Sequence, residues 1–158
     1  MATKEIVYTE SRKRELEEEL KYRKGELADE ISKKISEARA QGDLSENAEY
    51  DAARERQGKN EAKIKEIEHS LRNAKIIKDD EISDKIIGVG NVFKIHDMTF
   101  DEDLEYEMVG ELANTLENKI SKDSPVGKAL EGHKVGDVVT VAIGDKTYDY
   151  KVLSVKRK

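Results

Sequence analysis

Apolar side chains follow helical spacing over the first part of the chain. Between residues 9 and 40 they recur in steps of three and four, with one glycine, Gly25, and no proline. This spacing keeps them on one face of an α-helix. It predicts one helix of about thirty residues, roughly 45 Å long, that stops at Gly42, where glycine suits a left-handed backbone. The positions on this face are Leu16, Leu20, Leu27, Ile31, Ile35 and Ala38.

A second helical stripe follows, with the alternating three-four spacing of a coiled coil. Two such helices joined by a short turn form an antiparallel hairpin. Because the second stripe is polar near the turn and apolar farther away, the pattern predicts an anchored apolar end and a projecting turn. Its members are Tyr50, Ala53, Gln57, Asn60, Ile64, Ile67, Leu71 and Ala74.

Beyond about residue 79 the pattern changes to short β-branched or alternating runs. These predict strands over residues 85–95, 104–109, 135–143 and 147–155, with a hairpin turn at Gly144 and Asp145. Ser124 and Pro125 predict the start of a short helix, with serine as the cap. The chain is therefore predicted to be α+β: a coiled-coil hairpin over residues 1–79 and a small, mostly antiparallel sheet domain with one short helix over residues 80–158.

Composition agrees with an elongated part joined to a small globular part. Only 36% of the 158 residues are hydrophobic, with two Phe and no Trp, which is low for one compact core of this size. The net charge of −6 argues against a protein that coats nucleic acid through bulk electrostatics. The chain has no cysteine, and we see no apolar run typical of a signal peptide or a membrane helix. We therefore expect a cytoplasmic protein with no membrane partner.

Candidate chemistry is concentrated at the turn of the hairpin. Residues 40–53 contain four carboxylates and no lysine or arginine. Asp43 and Glu46 are three residues apart, which places them on one face if a helix begins near them. Two converging carboxylates suit a magnesium ion that takes its other ligands from phosphates, and such an ion activates water in two-metal phosphodiester hydrolysis. With no histidine here and no second acidic set, the chain offers at most half of such a site.

A structural alternative concerns the same two residues. Asp43 and Glu46 fit a capping box, in which each side chain bonds the other residue's backbone amide. Acidic residues at a helix N-terminus also interact favourably with the helix dipole. Spacing alone favours the cap and leaves the metal site open.

Two segments resemble one known family. Residues 37–55 read EARAQGDLSENAEYDAARE and are similar to the signature of the Gre transcript-cleavage factors, GreA type. Residues 124–132 read SPVGKALEG and resemble the C-terminal loop and helix of that family. Length and order of parts agree over essentially the whole chain.

The resemblance implies a partner and a mechanism. Members bind bacterial RNA polymerase at the rim of its secondary channel through an FKBP-like C-terminal domain, and the hairpin enters the channel. There Asp43 and Glu46 would help the polymerase hold a second Mg²⁺ and position water near the 3′ end of backtracked nascent RNA. The polymerase itself performs the cleavage. The chain is thus expected to be a monomeric accessory factor, not an enzyme, with no magnesium held by the isolated protein.

Other residues receive roles from the same resemblance. Arg39 and Arg54 match basic positions near the extruded RNA, although salt bridges with Glu46 or Asp51 are the alternative. Tyr50 is expected to pack in the hairpin seam rather than to stack on a base.

The second motif and the rest of the first motif receive weaker assignments. Ser124, Pro125 and Lys128 are expected at the polymerase rim, alongside a capping role for the first two. Asn47 and Glu49 are assigned only a supporting role at the turn.

Three other functions fit parts of the same sequence. An FKBP-like domain suggests a peptidyl-prolyl isomerase, but such a site needs an aromatic-lined pocket, and this domain has only Phe93, Phe100, Tyr106, Tyr148 and Tyr150. A channel-binding polymerase inhibitor of the same architecture is the nearer alternative. In a plain coiled-coil adaptor or chaperone, the acidic turn would be incidental.

Overall fold

A computed structural model describes residues 6–43, 47–113 and 115–158 of the chain. The chain divides into two compact units, one formed by Arg12–Asn73 and the other by Met1–Ser11 together with Ala74–Lys158. The predicted α+β class is confirmed, because the first unit is helical and the second is built around a sheet. Within the described ranges, no helix is both long enough and apolar enough to cross a membrane.

Two short strands flank the hairpin in the sequence. The strand β1 (Val7–Thr9) precedes the first helix, and β2 (Lys75–Ile77) follows the last one. The two strands pair in parallel, and Val7 also forms a bridge with Gly110. A side chain at Gly110 would collide with the Val7 carbonyl. Sequence patterning does not reveal either strand, because three residues carry too little periodicity.

The hairpin contains the helices α1 (Glu10–Lys24), α2 (Glu26–Ala40) and α3 (Ala48–Asn73). The prediction of one unbroken first helix is wrong, because the structure interrupts it at Gly25, where φ is −103° and ψ is −94°. Glycine inside a helix costs about 1 kcal/mol relative to alanine. A Cβ atom at this position would also lie only 3.1 Å from the carbonyl oxygen of Lys21. The break therefore falls at the residue that favours a helix least.

The predicted apolar stripe forms the inner face of the hairpin. Leu27, Ile31 and Ile35 of α2 form a buried cluster, and Tyr50 and Ala53 of α3 pack against it. The packing role of Tyr50 in the seam is confirmed.

The second unit contains a five-stranded sheet and one short helix. Their bounds are β3 (Asn91–Asp97), β4 (Glu102–Val109), β5 (Lys119–Ser121), α4 (Pro125–Leu130), β6 (Val138–Ile143) and β7 (Lys146–Arg157). The strand order is β5-β4-β3-β7-β6. Only the β4–β5 pair among these neighbours is parallel, so the sheet is mostly antiparallel, as predicted.

The core of this unit lies where α4 packs against the sheet. Phe93, Ile95, Met108 and Val152 come from three strands, and Leu130 comes from α4; all five are fully buried. Burial of large apolar side chains of this kind is the main source of stability in a small domain.

The strand predicted from residue 85 begins only at Asn91. The fully buried Asn91 side chain holds the preceding loop by donating from Nδ2 to the carbonyls of Ser83 (3.0 Å) and Ile86 (2.7 Å). Its Oδ1 accepts a bond from the Gly88 amide at 3.2 Å. The loop carbonyls are thus satisfied by a side chain instead of by a neighbouring strand.

The turn between β6 and β7 has the predicted form. The strands stop at Ile143 and resume at Lys146, and Gly144 takes a positive φ of 66°. At the other end, β6 begins at Val138 rather than at residue 135, because Gly136 has a positive φ of 95° that interrupts extended backbone.

Candidate functional site

The turn of the hairpin begins with a regular helix end. The amide of Gln41 donates to the Ala38 carbonyl at 3.2 Å, and the amide of Gly42 donates to the Arg39 carbonyl at 3.4 Å. Gly42 then takes a φ of 126°, which the absence of a Cβ atom permits. The stop predicted at Gly42 is confirmed, and it turns the chain out of α2 just before the candidate carboxylates.

Asp43 follows directly, with an exposed side chain. Glu46, the second candidate ligand, lies outside the described residues, as do Leu44 and Ser45. The position of the Asp43 carboxylate in solvent is consistent with a ligand offered to a partner. Convergence of Asp43 with Glu46 stays a prediction.

The exit from the turn is organised by Asn47. Helix α3 begins at Ala48, and the Asn47 Oδ1 accepts a hydrogen bond from the Tyr50 amide at 3.1 Å. Asn47 is therefore the N-cap of α3. The alternative in which Asp43 and Glu46 form a capping box involves Glu46, which lies outside the described residues, so it stays a prediction.

Asn47 also connects the two helices. Its Nδ2 donates to the Ala38 carbonyl near the C-terminal end of α2, at 2.6 Å. One side chain thus caps α3 and satisfies a carbonyl in the last turn of α2. The sequence assigned Asn47 only general support of the turn. An asparagine directly before a helix start is a recognisable N-cap signal, but the bond across the hairpin leaves no mark in local sequence.

The two candidate RNA-contacting arginines contact neutral side chains. The Arg39 guanidinium carbon lies 5.8 Å from the centre of the Tyr50 ring, within the range of a cation–π contact. Arg54 donates from Nη1 to Gln57 Oε1 at 2.8 Å, within α3. Neither of these contacts involves a carboxylate, and the alternative salt bridge with Glu46 concerns a residue outside the described ranges.

The described tip residues fit a magnesium ion only as part of a larger shell. In residues 6–43, 47–113 and 115–158, no group of three or more His, Cys, Asp or Glu residues could hold a metal. The exposed Asp43 carboxylate supplies the hard oxygen that Mg²⁺ prefers, but Mg²⁺ takes about six ligands. The donor set suits an ion whose remaining ligands come from another molecule.

The second motif forms the start of α4, as predicted. Ser124 Oγ accepts a hydrogen bond from the Gly127 amide at 3.0 Å and donates to the Ser121 carbonyl at 2.7 Å. The capping role of Ser124 is confirmed. Pro125 occupies the first helical position, and Lys128 one turn on is exposed.

An apolar groove adjoins the N-terminus of α4. Its volume is about 490 Å³, and its lining includes Leu112, Ser124, Pro125 and Ile143. Leu112 is 99% exposed and Ile143 is 42% exposed. Large apolar side chains so accessible on one surface are typical of a contact site for another protein. The sequence pattern missed Leu112 and Ile143, since nothing in their local sequence distinguishes them from core residues.

The aromatic residues mostly serve the core. Phe93 and Tyr150 are buried, and Tyr106 and Tyr148 pack against the same cluster. Phe100 is 66% exposed and stacks on Tyr148 with 6.3 Å between ring centres. This distribution does not favour the isomerase hypothesis, because core packing occupies the side chains that would line its pocket.

Comparison with known proteins identifies the family. The profile described as "Transcription elongation factor, N-terminal" matches residues 6–76. The profile described as "Transcription elongation factor, GreA/GreB, C-term" matches residues 82–157. The chain belongs to the GreA/GreB family of transcription elongation factors. The family resemblance recognised in the two motifs is thereby confirmed.

Individual relatives agree along the full length. The chain is 45% identical over 158 residues to the transcription elongation factor GreA of Lachnoclostridium phytofermentans, covering 99% of both chains. It is 44% identical over 154 residues to GreA of Clostridium acetobutylicum, covering 97% of this chain and 98% of the relative. Among solved structures, the GreA factor homolog Gfh1 of Thermus thermophilus is 30% identical, with 96% of this chain and 99% of that chain covered and a TM-score of 0.45.

Proposed function

We propose that the chain stimulates RNA polymerase to cleave backtracked nascent RNA, which rescues arrested complexes. The observation that carries this proposal is the exposed Asp43 at the turn of the hairpin, placed by the helix end at Gly42 inside the motif that resembles the Gre signature. Membership in the elongation-factor family supports the same function. The hairpin enters the secondary channel of the polymerase and brings its carboxylates to the active site.

Asp43 and Glu46 would hold a magnesium ion together with polymerase carboxylates. The chemistry that such an ion would supply is activation of water for phosphodiester hydrolysis. The contribution of the chain is to supply negatively charged oxygen ligands at a fixed position. Because Mg²⁺ needs more ligands than this turn provides, the isolated chain is inert and the polymerase is the enzyme.

The arginines beside the turn orient the RNA. The Arg39 guanidinium carbon lies near the Tyr50 ring, and Arg54 donates to Gln57. A cation with no carboxylate among these contacts attracts an RNA phosphate without first breaking an ion pair. This argument favours RNA contact over a structural role for both residues.

The apolar groove beside α4 anchors the chain on the rim of the channel. Pro125 lines the groove, Lys128 is exposed on the same helix, and Ser124 fixes the helix start that presents them. The exposed Leu112 supplies apolar area to the same contact. We further propose that the chain acts as a monomer in the cytoplasm.

The test compares carboxylate variants in purified, backtracked polymerase complexes with magnesium. Asp43→Asn and Glu46→Gln should each slow cleavage at saturating protein by about 100-fold, because loss of even an outer-shell partner of a metal typically costs 10–100-fold. Asp51→Asn is the matched control, since Asp51 is an exposed carboxylate in the same acidic stretch. It should stay within about twofold of the parent, as expected for a residue outside the metal shell.

Binding to the polymerase must be measured with the same variants. Unchanged binding with lost cleavage supports the ligand role of Asp43 and Glu46. Near-normal cleavage by both variants would refute it. If the parent binds without shortening the RNA, the channel-binding inhibitor becomes the better account. The inhibitor is not favoured at present, because the relatives compared at 44–45% identity are named elongation factors.

A further inference from the structure

The hairpin seam contains a buried polar side chain at Asn60. Asn60 is 5% exposed, and of the buried polar side chains in the described part of the chain it is the one that belongs to the hairpin. Burying a side-chain amide costs free energy unless its donor and acceptor groups form hydrogen bonds. The partners of Asn60 therefore indicate what it contributes.

Asn60 and Arg23 bond each other in both directions across the hairpin. Asn60 Nδ2 donates to the Arg23 carbonyl at 2.9 Å, and Arg23 Nη1 donates to Asn60 Oδ1 at 3.2 Å. Glu19, one turn earlier in α1, fixes the same guanidinium through Nε at 3.1 Å and Nη2 at 3.0 Å. The pair is thus oriented from both helices and tolerates little displacement.

These bonds lie next to the break in the first helical run. Helix α1 ends at Lys24 and α2 begins at Glu26, so the Arg23 carbonyl belongs to the last turn of α1. Carbonyls in a last helical turn lack intrahelical donors. Asn60 supplies a donor from α3 at this point. The break at Gly25 and the bond from Asn60 therefore form one feature.

The apolar part of the seam cannot specify this geometry by itself. Its residues recur every three or four positions, so a slip by one step still sets apolar side chains against apolar side chains. Such a slip moves one helix by about 5 Å along the other. It also replaces Asn60 with Gln57 or Ile64 opposite Arg23, and isoleucine has no group that bonds to a carbonyl. A single buried asparagine is known to set register in this way.

We propose that Asn60 is a positioning residue that holds α1, α2 and α3 in one relation across the break at Gly25. Through that relation it sets where the turn with Asp43 lies. This role rests on the proposed cleavage function, because only a turn that must meet a fixed active site requires it. A misplacement of about 1 Å in a catalytic group can slow a reaction by about 100-fold, so a hinge left free in the middle of the hairpin would be costly.

The geometric test measures the angle at the break directly. Glu18 in α1 and Lys33 in α2 are both exposed, and the chain has no cysteine, so Glu18→Cys with Lys33→Cys accepts exactly two spin labels. The expected label distance is about 22 Å between backbones if the helices run nearly straight. Double electron–electron resonance should give one narrow distribution of label distances for the doubly labelled parent. With Asn60→Leu added, this distribution should broaden or shift toward shorter distances.

A neighbouring seam position provides the matched control. Gln57 is half-buried, and its described hydrogen bond is to Arg54 in its own helix. Gln57→Leu makes the same polar-to-leucine change and should leave the distance distribution unchanged. Equal broadening in both variants would show that any leucine in this seam disturbs the hairpin, and would overturn the assignment to Asn60.

Measurements of melting temperature and cleavage rate distinguish a positioning role of Asn60 from simple structural support. A leucine at position 60 completes the apolar seam, so the melting temperature should be unchanged or higher. The maximal cleavage rate should nevertheless fall about tenfold or more, with half-saturation by the protein unchanged. If Asn60→Leu aggregates, Asn60→Ala takes its place in the distance and cleavage measurements, with Gln57→Ala as its control. An unchanged label distribution together with parental cleavage would overturn the proposal. Absence of cleavage by the parent would refute the proposed function instead, while the label distances would still test the contact.

Discussion

The hairpin and the sheet unit are each stabilised internally by different kinds of interaction. Ten buried apolar or aromatic residues form one core in the sheet unit. In the hairpin, a smaller buried cluster is accompanied by polar contacts between helices, such as the ion pair of Lys24 with Glu68 at 2.9 Å. Exposed ion pairs of this kind contribute about 0–1 kcal/mol. The sheet unit is therefore stabilised by burial, whereas the hairpin depends on a few directional contacts that fix its shape.

The largest effect is expected from the core of the sheet unit. Phe93 is completely buried, so Phe93→Ala should lower the free energy of unfolding by about 3–5 kcal/mol through lost burial and a residual cavity. Phe100→Ala is the matched control, because Phe100 is 66% exposed and should change stability by about 1 kcal/mol or less. Urea denaturation measures both. Similar losses in the two variants would contradict a core centred on Phe93.

A smaller loss is expected where the sheet unit uses directional bonds. Asn91→Ala removes three hydrogen bonds to the loop before β3 and leaves their backbone partners without them. The free energy of unfolding should fall by about 2–3 kcal/mol. Hydrogen exchange should become faster at the Gly88 amide, which loses its bond to Asn91. Unchanged exchange at that amide would argue that the loop is held by other contacts.

Sequence patterning anticipated the repetitive and local parts of the fold. The stripe of Leu27, Ile31 and Ile35 is buried where its spacing placed it, and the turn at Gly144 has the predicted form. Both features depend on residues close together in sequence. The cap formed by Ser124 was predicted for the same reason.

Features that depend on residues far apart in the sequence could not be predicted from local patterning. The parallel pairing of β1 with β2 joins segments on opposite sides of the hairpin, and three residues give no usable period. The N-cap role of Asn47 was not predicted, and its bond to the Ala38 carbonyl joins residues nine positions apart, which local patterning does not reveal. The site itself came from the family resemblance, because an acidic turn alone fits a cap as well as a metal ligand.

In the hairpin, replacing Asn47 by serine should lower the free energy of unfolding by about 1 kcal/mol. Asn47→Ser keeps an acceptor for the Tyr50 amide but removes the donor to the Ala38 carbonyl. Asn47→Ala removes both contacts and should cost about twice as much. Thermal denaturation followed by helical circular dichroism measures the two losses. Equal stability of Asn47→Ser and the parent would mean that capping alone accounts for Asn47.

The smallest expected effect on stability concerns His96 in the sheet unit, and it depends on pH. His96 contacts Asp103 through Nδ1 at 2.8 Å and Asp101 through Nε2 at 3.0 Å, while Lys151 is its neighbour on β7. The hydrogen bond with Asp103, opposed in part by desolvation and reinforced by the charges of both carboxylates, raises the pKa of His96 above its usual value of 6.5.

Because the pKa of His96 is raised in the folded state, protonated His96 favours folding. This contribution is complete below pH 6.5 and is lost as the pH rises through the higher pKa of the folded protein. The melting temperature of the parent should therefore exceed that of His96→Gln by more at pH 6 than at pH 8. Subtracting the two proteins at each pH cancels the other titrating groups. A difference in melting temperature that grows with pH would show that the carboxylates around His96 do not stabilise its charged form. The polar contacts of His96 would then not stabilise the sheet unit.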